Sequence, residues 1–398
     1  MHVPRECYPL QEAIDTSLAH LTTAQRRGLV WWVFGTLLAG SGCLSAVLVA
    51  LGPFVGRAGQ AALRQSLREW LRDGGDKLVP GAAQLEVATC FAPLLRWLLG
   101  WWRGAALPVA LDVTLLRDRV AIVTLAVLYR GTAIPVAWHV TAANRQGQWL
   151  TPALRLIETL ALAVPGTMPV LLLADRGLWS GRLWDTLRCL GWHPLLRVRP
   201  DVTFAPHGGT RVKAVTLVPG PGHAWVGTGV AFKHHPVRRA GTLVVMWDHN
   251  QTEPWLVLTD LAPTDVGVCW YGLRTWVELG FRSLKSFGWQ WERTRRTDPD
   301  RVARHTLVLA IATLWTVATG TREEDAEGRG CDPDRVRLVL PPPPTRGHRT
   351  SLFARGLVRV RWQLLRTRRL WRQLWLWPDP WPGTPPNVTV IIHAPLPN

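Results

Sequence analysis

The chain has 398 residues, enough for one large hydrophobic core and one or two smaller units. Lysine and arginine outnumber the acidic residues by 46 to 28, and the formal charge of +18 favours nucleic acid as the partner, with an anionic membrane surface second. Its six cysteines lie far apart without the spacing of zinc ligands, which excludes a zinc finger and indicates free thiols in a reducing cytoplasm.

Residues 1–103 are predicted to form a helical region that packs on the rest of the chain or on DNA ends. The uncharged run from Gly28 to Gly56 is long enough to cross a bilayer, and the cations before it would suit a membrane anchor. Gly35, Gly40 and Gly42 interrupt this run, so it can equally be two short helices joined by a GSGC turn. Charged amphipathic helices follow directly, and we therefore favour the buried helical pair.

From residue 104 the pattern changes to short, apolar, β-branched runs. Residues 107–116, 119–130 and 132–140 predict three consecutive antiparallel strands joined by tight turns. A helix at about 147–163, an apolar strand over 168–177, a second helix and the strand HPLLRVR follow. The order β-β-β-α-β-α-β predicts an α/β domain with a mixed sheet flanked by helices.

The predicted α/β domain spans residues 104–320 and contains an insertion. Residues of about 201–262 are rich in Gly, Pro, Val and Thr with β alternation, which predicts a β-rich insertion. Helices are expected over 264–286 and 301–319, and 321–350 is expected to be a mostly flexible linker.

The C-terminal residues 351–398 combine an Arg-rich helix with a Pro-rich tail. The arginines between 355 and 372 lie beside apolar positions at helical spacing, which indicates one buried face and one cationic face. Such a helix suits either phosphate contact along a DNA end or contact between two subunits, and the sequence leaves both open.

Two aspartates occur where apolar strands are predicted. Asp112 interrupts PVALDVTLL, and Asp175 ends VLLLAD. A carboxylate in a buried strand is costly unless a metal or hydrogen bonds compensate it, and ligands usually bind at strand ends in α/β sheets. If the two strands are neighbours, Asp112 and Asp175 could share a cation, with Glu278 closing the site from a helix. Three carboxylates without His or Cys suit Mg²⁺ or Mn²⁺.

The segment YGLRTWVELGFRSLK places Tyr271, Arg274, Glu278 and Lys285 on one narrow stripe of a helix that turns about 100° per residue. Cations on either side of a carboxylate fit a site in which the acid holds a divalent cation and the cations hold phosphate oxygens. A solvated helix face with ion pairs explains the same spacing.

The motifs ALDVTLL and LLLADRG, together with the spacing Tyr-x2-Arg-x3-Glu-x6-Lys, resemble the DDE transposases of bacterial insertion sequences, of the IS-four type. The resemblance covers about residues 105–320 and implies a ribonuclease-H-like core with a β-rich insertion before the glutamate. It implies an enzyme that cuts transposon ends and joins them to target DNA with two divalent ions, Mg²⁺ or Mn²⁺. A homodimer in a synaptic complex, and a cytoplasmic, nucleoid-associated location in a bacterium, are expected on the same ground.

The resemblance also implies individual roles. The metal-binding and catalytic triad would be Asp112, Asp175 and Glu278. The phosphate contacts beside the cleaved strand would be Tyr271, Arg274 and Lys285. Arg176 would either hold phosphate or neutralise the acids. Trp255 is similar to an insertion tryptophan that stacks on a flipped base, although packing in the core or the sheet is the default explanation in a chain with 24 tryptophans.

Other polar residues have simpler explanations. Asp118 lies in a turn between two strands, Asp260 lies inside the insertion as a cap or turn, and Glu292 suits a surface ion pair. His139 suits a satisfied position in the sheet. The alternatives to a transposase are a metal-dependent nuclease without strand transfer, a non-catalytic DNA-binding protein and a membrane-associated basic protein. The intact set of three acids argues against a non-catalytic protein.

Overall fold

The computed structural model describes residues 3–78, 83–143, 148–336, 350–367 and 369–393. Within these ranges the chain forms eleven β-strands and nine α-helices. The strands are β1 (Leu107–Leu116), β2 (Val120–Tyr129), β3 (Thr132–Ala142), β4 (Val170–Ala174), β5 (His193–Arg197), β6 (Thr203–Pro206), β7 (Val212–Lys213), β8 (His223–Ala231), β9 (Arg239–Trp247), β10 (Trp255–Thr259) and β11 (Thr389–His393). The helices are α1 (Tyr8–Ser17), α2 (Thr23–Ala39), α3 (Leu44–Trp70), α4 (Phe91–Trp101), α5 (Leu150–Ala161), α6 (Gly181–Cys189), α7 (Thr275–Arg282), α8 (Pro299–Gly328) and α9 (Leu352–Arg366).

All eleven strands belong to one mixed sheet, in the spatial order β3-β2-β1-β4-β5-β10-β9-β8-β6-β7, with β11 paired to β8. The first three strands are antiparallel neighbours, whereas β1, β4 and β5 run parallel. The predicted order β-β-β-α-β-α-β is therefore confirmed. The arrangement β3-β2-β1-β4-β5 with flanking helices is the ribonuclease-H-like core that the resemblance implied.

The centre of this sheet is buried on both faces, because helices cover it together with residues 271–285, the signature segment. All ten residues of β2 are buried. Along β1, Val109 and Leu111 pack into the larger apolar cluster, which includes residues of α2, α4, α5 and α8, while Ala110 packs into a second cluster with Val277 of α7. Alternate side chains of a strand point to opposite faces, so two covered faces explain why these strands have almost no polar residues.

The predicted insertion extends the same sheet rather than forming a separate one. Strand β10 pairs antiparallel with β5, and β9 and β8 continue outward from it. One predicted strand, VKAVTLV, is only partly formed: after Lys213 the chain turns into a short 3-10 helix over Ala214–Leu217. Among the described strands β7 pairs with β6 alone, at the edge of the sheet, and so little holds the following residues in a strand.

The N-terminal apolar run forms two helices, α2 and α3, rather than a single span, but the expectation of two short buried helices was wrong for α3, which has 27 residues and exposes most of its apolar window. Gly40 ends α2 in the left-handed conformation with φ of 59°, where glycine is favoured. Among the described residues, two helices are long and apolar enough to cross a membrane by length and composition: Leu44–Trp70, with 17% of its apolar window buried, and Pro299–Gly328, with 94% buried. The second is therefore the central helix of the core, whereas the first has most of its apolar window at the surface.

Several predicted boundaries were wrong. The helix expected over 301–319 runs from Pro299 to Gly328, so the first part of the predicted linker is helical. Buried ion pairs hold this extension, because Glu324 and Asp325 contact Arg130. The helix expected over 264–286 begins only at Trp270, and the helix expected from 147 begins at Leu150.

The C-terminal region was expected to be a helix followed by a Pro-rich tail, but it also contributes a strand to the sheet. The Arg-rich helix α9 is present, and within the predicted tail Thr389–His393 forms β11 on β8. The proline run of the predicted linker, at 341–344, lies outside the described residues.

Candidate active site

The two aspartates of the site lie side by side on neighbouring parallel strands: Asp112 lies within β1, just past the last residue that pairs with β4, and Asp175 directly follows β4. Leu111 of β1 pairs with Ala174 of β4, so Asp112 and Asp175 follow at adjacent positions. Parallel strands lie about 4.8 Å apart, which brings the two acidic residues to one edge of the sheet. Burial raises the pKa of Asp112, Arg274 lowers it, and the charge of Asp175 raises it again. A half-buried carboxylate with a second carboxylate beside it favours binding of a cation.

Arg274 is the cation that the structure places on Asp112. Its Nη2 donates to Asp112 Oδ1 at 2.8 Å, and its Nη1 lies 3.8 Å from Glu278 Oε1. The Asp112 and Arg274 side chains are only 18% and 15% exposed, whereas that of Glu278 is 73% exposed. Arg274 therefore lies between Asp112 of β1 and Glu278 of α7, and its positive charge interacts with both carboxylates.

The signature segment is not one regular helix. A 3-10 helix over Trp270–Arg274 leads into α7, and a π-helical turn over Ser283–Phe287 follows. Gly280 lets α7 lie directly against the sheet, because a Cβ there would come within 2.9 Å of the Ala133 backbone nitrogen. The change from one helix type to another alters the predicted stripe, and π-turns of this kind are frequent at functional sites.

Lys285 comes from this π-turn and reaches the first strand. Its Nζ donates to Thr114 Oγ1 at 2.6 Å, two residues beyond Asp112 in β1. Burial lowers the pKa of Lys285, while Glu292 and Asp112 raise it. The ammonium group is thus held beside the acidic edge of the sheet.

Tyr271 and Trp255 lie on the side of the second acid. The Tyr271 hydroxyl donates to Asp175 Oδ1 at 3.4 Å, and burial raises the pKa of this phenol, which stays protonated as a donor. The half-buried Trp255 packs edge-on against the Tyr271 ring, with centroids 5.4 Å apart. The tryptophan therefore lies next to the acids, at the start of β10.

Two charged residues of this site were missed by the sequence analysis, Arg197 and Glu253. Ala174 of β4 pairs with Leu196 of β5, so Arg197 lies beside Asp175, with 3.5 Å between Nη1 and Oδ1. Glu253 Oε1 accepts from Arg197 and also from Arg176. Arg197 is the last residue of the strand HPLLR, and Asp175 directly follows the strand VLLLA. Once β4 and β5 are known to be adjacent, this position at a strand end identifies Arg197 as a residue of the site.

The arrangement suits divalent cations only in part. Among the described residues, no group of three or more His, Cys, Asp or Glu side chains is close enough to hold a metal ion. Asp112 and Asp175 nevertheless offer oxygen donors at adjacent positions, which is the chemistry that Mg²⁺ and Mn²⁺ prefer. Glu278 is separated from them by Arg274, so its membership in the triad stays a prediction.

The residues with simpler explanations lie elsewhere. Asp118 is exposed in the turn between β1 and β2. Asp260 contacts His193 at 3.1 Å, and Glu292 lies 4.0 Å from Arg117. His139 lies on β3, two strands from β1, and burial and Arg155 lower its pKa.

Comparison with known proteins identifies the domain. Residues 118–315 match the family described as Transposase DDE domain, a span that contains Asp175 and Glu278 but begins after Asp112. No curated protein sequence matches the chain. The chain is similar to the piggyBac transposase of a cryo-EM synaptic complex with hairpin DNA, at 10% identity and a TM-score of 0.39, over 90% of this chain and 78% of that one. A TM-score of this size supports no conclusion about function. The sequence match shows that residues 118–315 of this chain carry a transposase DDE domain.

Proposed function

We propose that this chain is a cut-and-paste transposase of the IS-four type, which cleaves DNA at the ends of its own element and transfers those ends into target DNA. The observation that carries the proposal is the meeting of Asp112, Asp175 and Arg274 at one edge of the sheet. The middle of β1, the end of β4 and the signature segment are distant in sequence and contribute to this one place.

Asp112 and Asp175 would hold divalent cations, Mg²⁺ or Mn²⁺, and Glu278 would complete the set of oxygen ligands. Two such ions, when bound, activate an attacking oxygen and stabilise the leaving oxygen of an in-line displacement at phosphorus. Tyr271 donates to Asp175 and so orients its carboxylate. Arg274 is the counter-charge of Asp112 in the free protein and can hold a phosphate oxygen once a cation takes over that role.

Lys285 and Trp255 would bind the DNA strand itself. The Lys285 ammonium has three N–H donors and uses one of them in the hydrogen bond to Thr114, which leaves two for phosphate oxygens. Trp255 keeps part of its ring accessible while Tyr271 fixes its plane, an arrangement that suits stacking on an unpaired base. We propose both as DNA contacts, together with Arg176.

The proposal is tested with the terminal inverted repeats that flank the gene as substrate. We expect Asp112→Asn, Asp175→Asn and Glu278→Gln to reduce Mg²⁺-dependent cleavage to background while binding to the same DNA persists. Asp118→Asn is the matched control, because it removes an exposed acid from the adjacent turn. Full cleavage by any one of the three variants removes that residue from the site.

Strand transfer separates the proposal from the nuclease alternative. Pre-cleaved ends are incubated with a target plasmid, and joined products are expected from the wild-type chain only. Cleavage without joining would identify a nuclease instead. The mass of the protein complex with two DNA ends tests the proposed homodimer, and recovery in detergent-free extract tests the proposed cytoplasmic location against a membrane anchor.

A further inference from the structure

Glu253 lies between two arginines, beside the second acid of the site. Its Oε1 accepts from Arg176 Nη1 at 2.9 Å and from Arg197 Nη2 at 2.8 Å. Arg197 Nη1 also lies 3.5 Å from Asp175 Oδ1. One carboxylate oxygen thus receives two guanidinium groups, one from the turn after β4 and one from the end of β5.

We infer that Arg176 and Arg197 form a binding site for a DNA phosphate, and that Glu253 occupies the place of the phosphate in the free protein. Guanidinium groups donate to carboxylate and phosphate oxygens with the same planar geometry. Two arginines that share one carboxylate oxygen therefore already have their donors directed at a single anionic oxygen. This inference rests on the proposed function, because it takes DNA as the substrate.

The exposures of the three side chains fit an exchange of anions. Arg176 and Glu253 are 45% and 40% exposed, so a ligand from solvent can reach them, whereas Arg197 is only 15% exposed and is held in the site. Ion pairs at such accessible positions contribute little to stability, so Glu253 can be replaced at low cost. A phosphate in its place keeps both arginines paired.

The backbone around Glu253 would stay in place during this exchange. Pro254 follows it and favours an extended conformation at Glu253. Trp255 comes next, begins β10 and packs on Tyr271. Rotation of the Glu253 side chain alone is then sufficient to open the site.

The charge balance explains what the exchange achieves. In the free protein Asp175 and Glu253 offset Arg176 and Arg197, so this corner of the site has no net charge. When the Glu253 carboxylate turns away, Arg176 and Arg197 keep only Asp175 as their counter-charge, and this corner of the site becomes positive. The site then attracts a phosphodiester next to the acid that the proposed chemistry uses.

The test is a binding titration of the full-length protein with a short, labelled, random-sequence DNA duplex, in EDTA and over a series of salt concentrations. We expect Glu253→Gln to bind about threefold or more tightly than wild type, because one repelling charge is lost and both arginines are released. We expect Arg197→Gln and Arg176→Gln each to weaken binding and to reduce the salt slope by about 1. In the double variant, Arg197→Gln should cancel the gain from Glu253→Gln.

Asp185→Asn is the matched control, because it removes one acid that pairs with a single arginine, Arg239, outside this cluster. Unchanged or weaker binding by Glu253→Gln overturns the inference, and so does an equal gain from Asp185→Asn. Arg176 is exposed in the turn after β4, so Arg176→Gln is expected to fold. It therefore tests the phosphate site even if Arg197→Gln does not fold. Failure of wild-type protein to bind the duplex also overturns it.

The same titration separates this inference from the proposed function. Since it contains no divalent metal, it does not depend on catalysis. A chain that cleaves its element's ends but shows no effect of Glu253→Gln refutes the phosphate site alone. A clear effect of Glu253→Gln without cleavage or joining refutes the transposase chemistry alone.

Discussion

Arg274 donates to Asp112 across 162 positions of sequence, at 2.8 Å, and so provides the positive charge that this half-buried carboxylate needs in the free protein. The same guanidinium lies 3.8 Å from Glu278. Any divalent cation that binds Asp112 must therefore compete with an arginine that belongs to the protein.

Replacement of Arg274 should therefore make the protein more responsive to Mg²⁺. Arg274→Gln leaves Asp112 without its ion pair, and we expect the metal-free protein to lose about 1–3 kcal/mol of stability. Added Mg²⁺ should then raise the Tm of the variant more than that of wild type, because the cation meets less competition. Arg282→Gln is the control, because Arg282 is also in α7 but its guanidinium lies over the Phe287 ring and not on Asp112. Equal Tm shifts in all three proteins would contradict the competition.

Removal of the Tyr271 hydroxyl should affect reaction rate more than folding. Tyr271→Phe keeps the ring that packs on Trp255 but deletes the donor to Asp175. A single hydrogen bond of this kind contributes about 0.5–1.5 kcal/mol, so we expect cleavage to slow by up to about tenfold. Tyr8→Phe, at an exposed position, should leave the rate unchanged. A rate for Tyr271→Phe equal to wild type would show that this donor does not orient Asp175.

His305 should make the folded protein sensitive to acid. It is fully buried in α8 against Trp32, and burial and Arg296 lower its pKa well below the usual 6.5. The unfolded chain therefore binds a proton in the range just below pH 6.5 where the folded chain does not, and stability falls as the pH drops through this range.

The loss of stability should be about 1.4 kcal/mol per pH unit below the unfolded pKa. His305→Phe should remove this slope between about pH 6.5 and pH 5, and urea unfolding at several pH values measures it. His249→Gln, at an exposed position, should keep the slope of wild type. An identical slope in His305→Phe would assign the acid sensitivity to other groups.

The ion pairs around Arg130 should contribute strongly to the stability of the folded protein. Its Nη1 lies 3.1 Å from Glu324 and 3.0 Å from Asp325, and these side chains are 5%, 3% and 0% exposed. Arg130→Met leaves two buried acids without this cation, and we expect a loss of about 3–5 kcal/mol in urea unfolding. Arg355→Met, which removes a more exposed pair with Glu327, should cost about 0–1 kcal/mol. Similar losses in the two variants would contradict a special role for burial.

The sequence by itself determined the order of strands and helices in the core and the unusual acids, but not every boundary. Strands β1 to β5 were predictable because short apolar, β-branched runs bounded by turn residues are typical of strands. The structure explains the pattern, since both faces of the central strands are buried. Asp112 and Asp175 were visible for the same reason, since a carboxylate next to such runs is costly without a partner. The spacing of Tyr271, Arg274, Glu278 and Lys285 was equally local information.

Only the tertiary structure decided which of these residues meet. The pairing of Leu111 with Ala174, and of Ala174 with Leu196, places Asp112, Asp175 and Arg197 side by side, and no local pattern specifies that register. The exposed position of Glu278 and the ion pair that separates it from the strand acids also depend on packing. The physical reason is that hydrophobic periodicity fixes which face of an element is buried, whereas the distance between two charged groups depends on how those elements are paired in space.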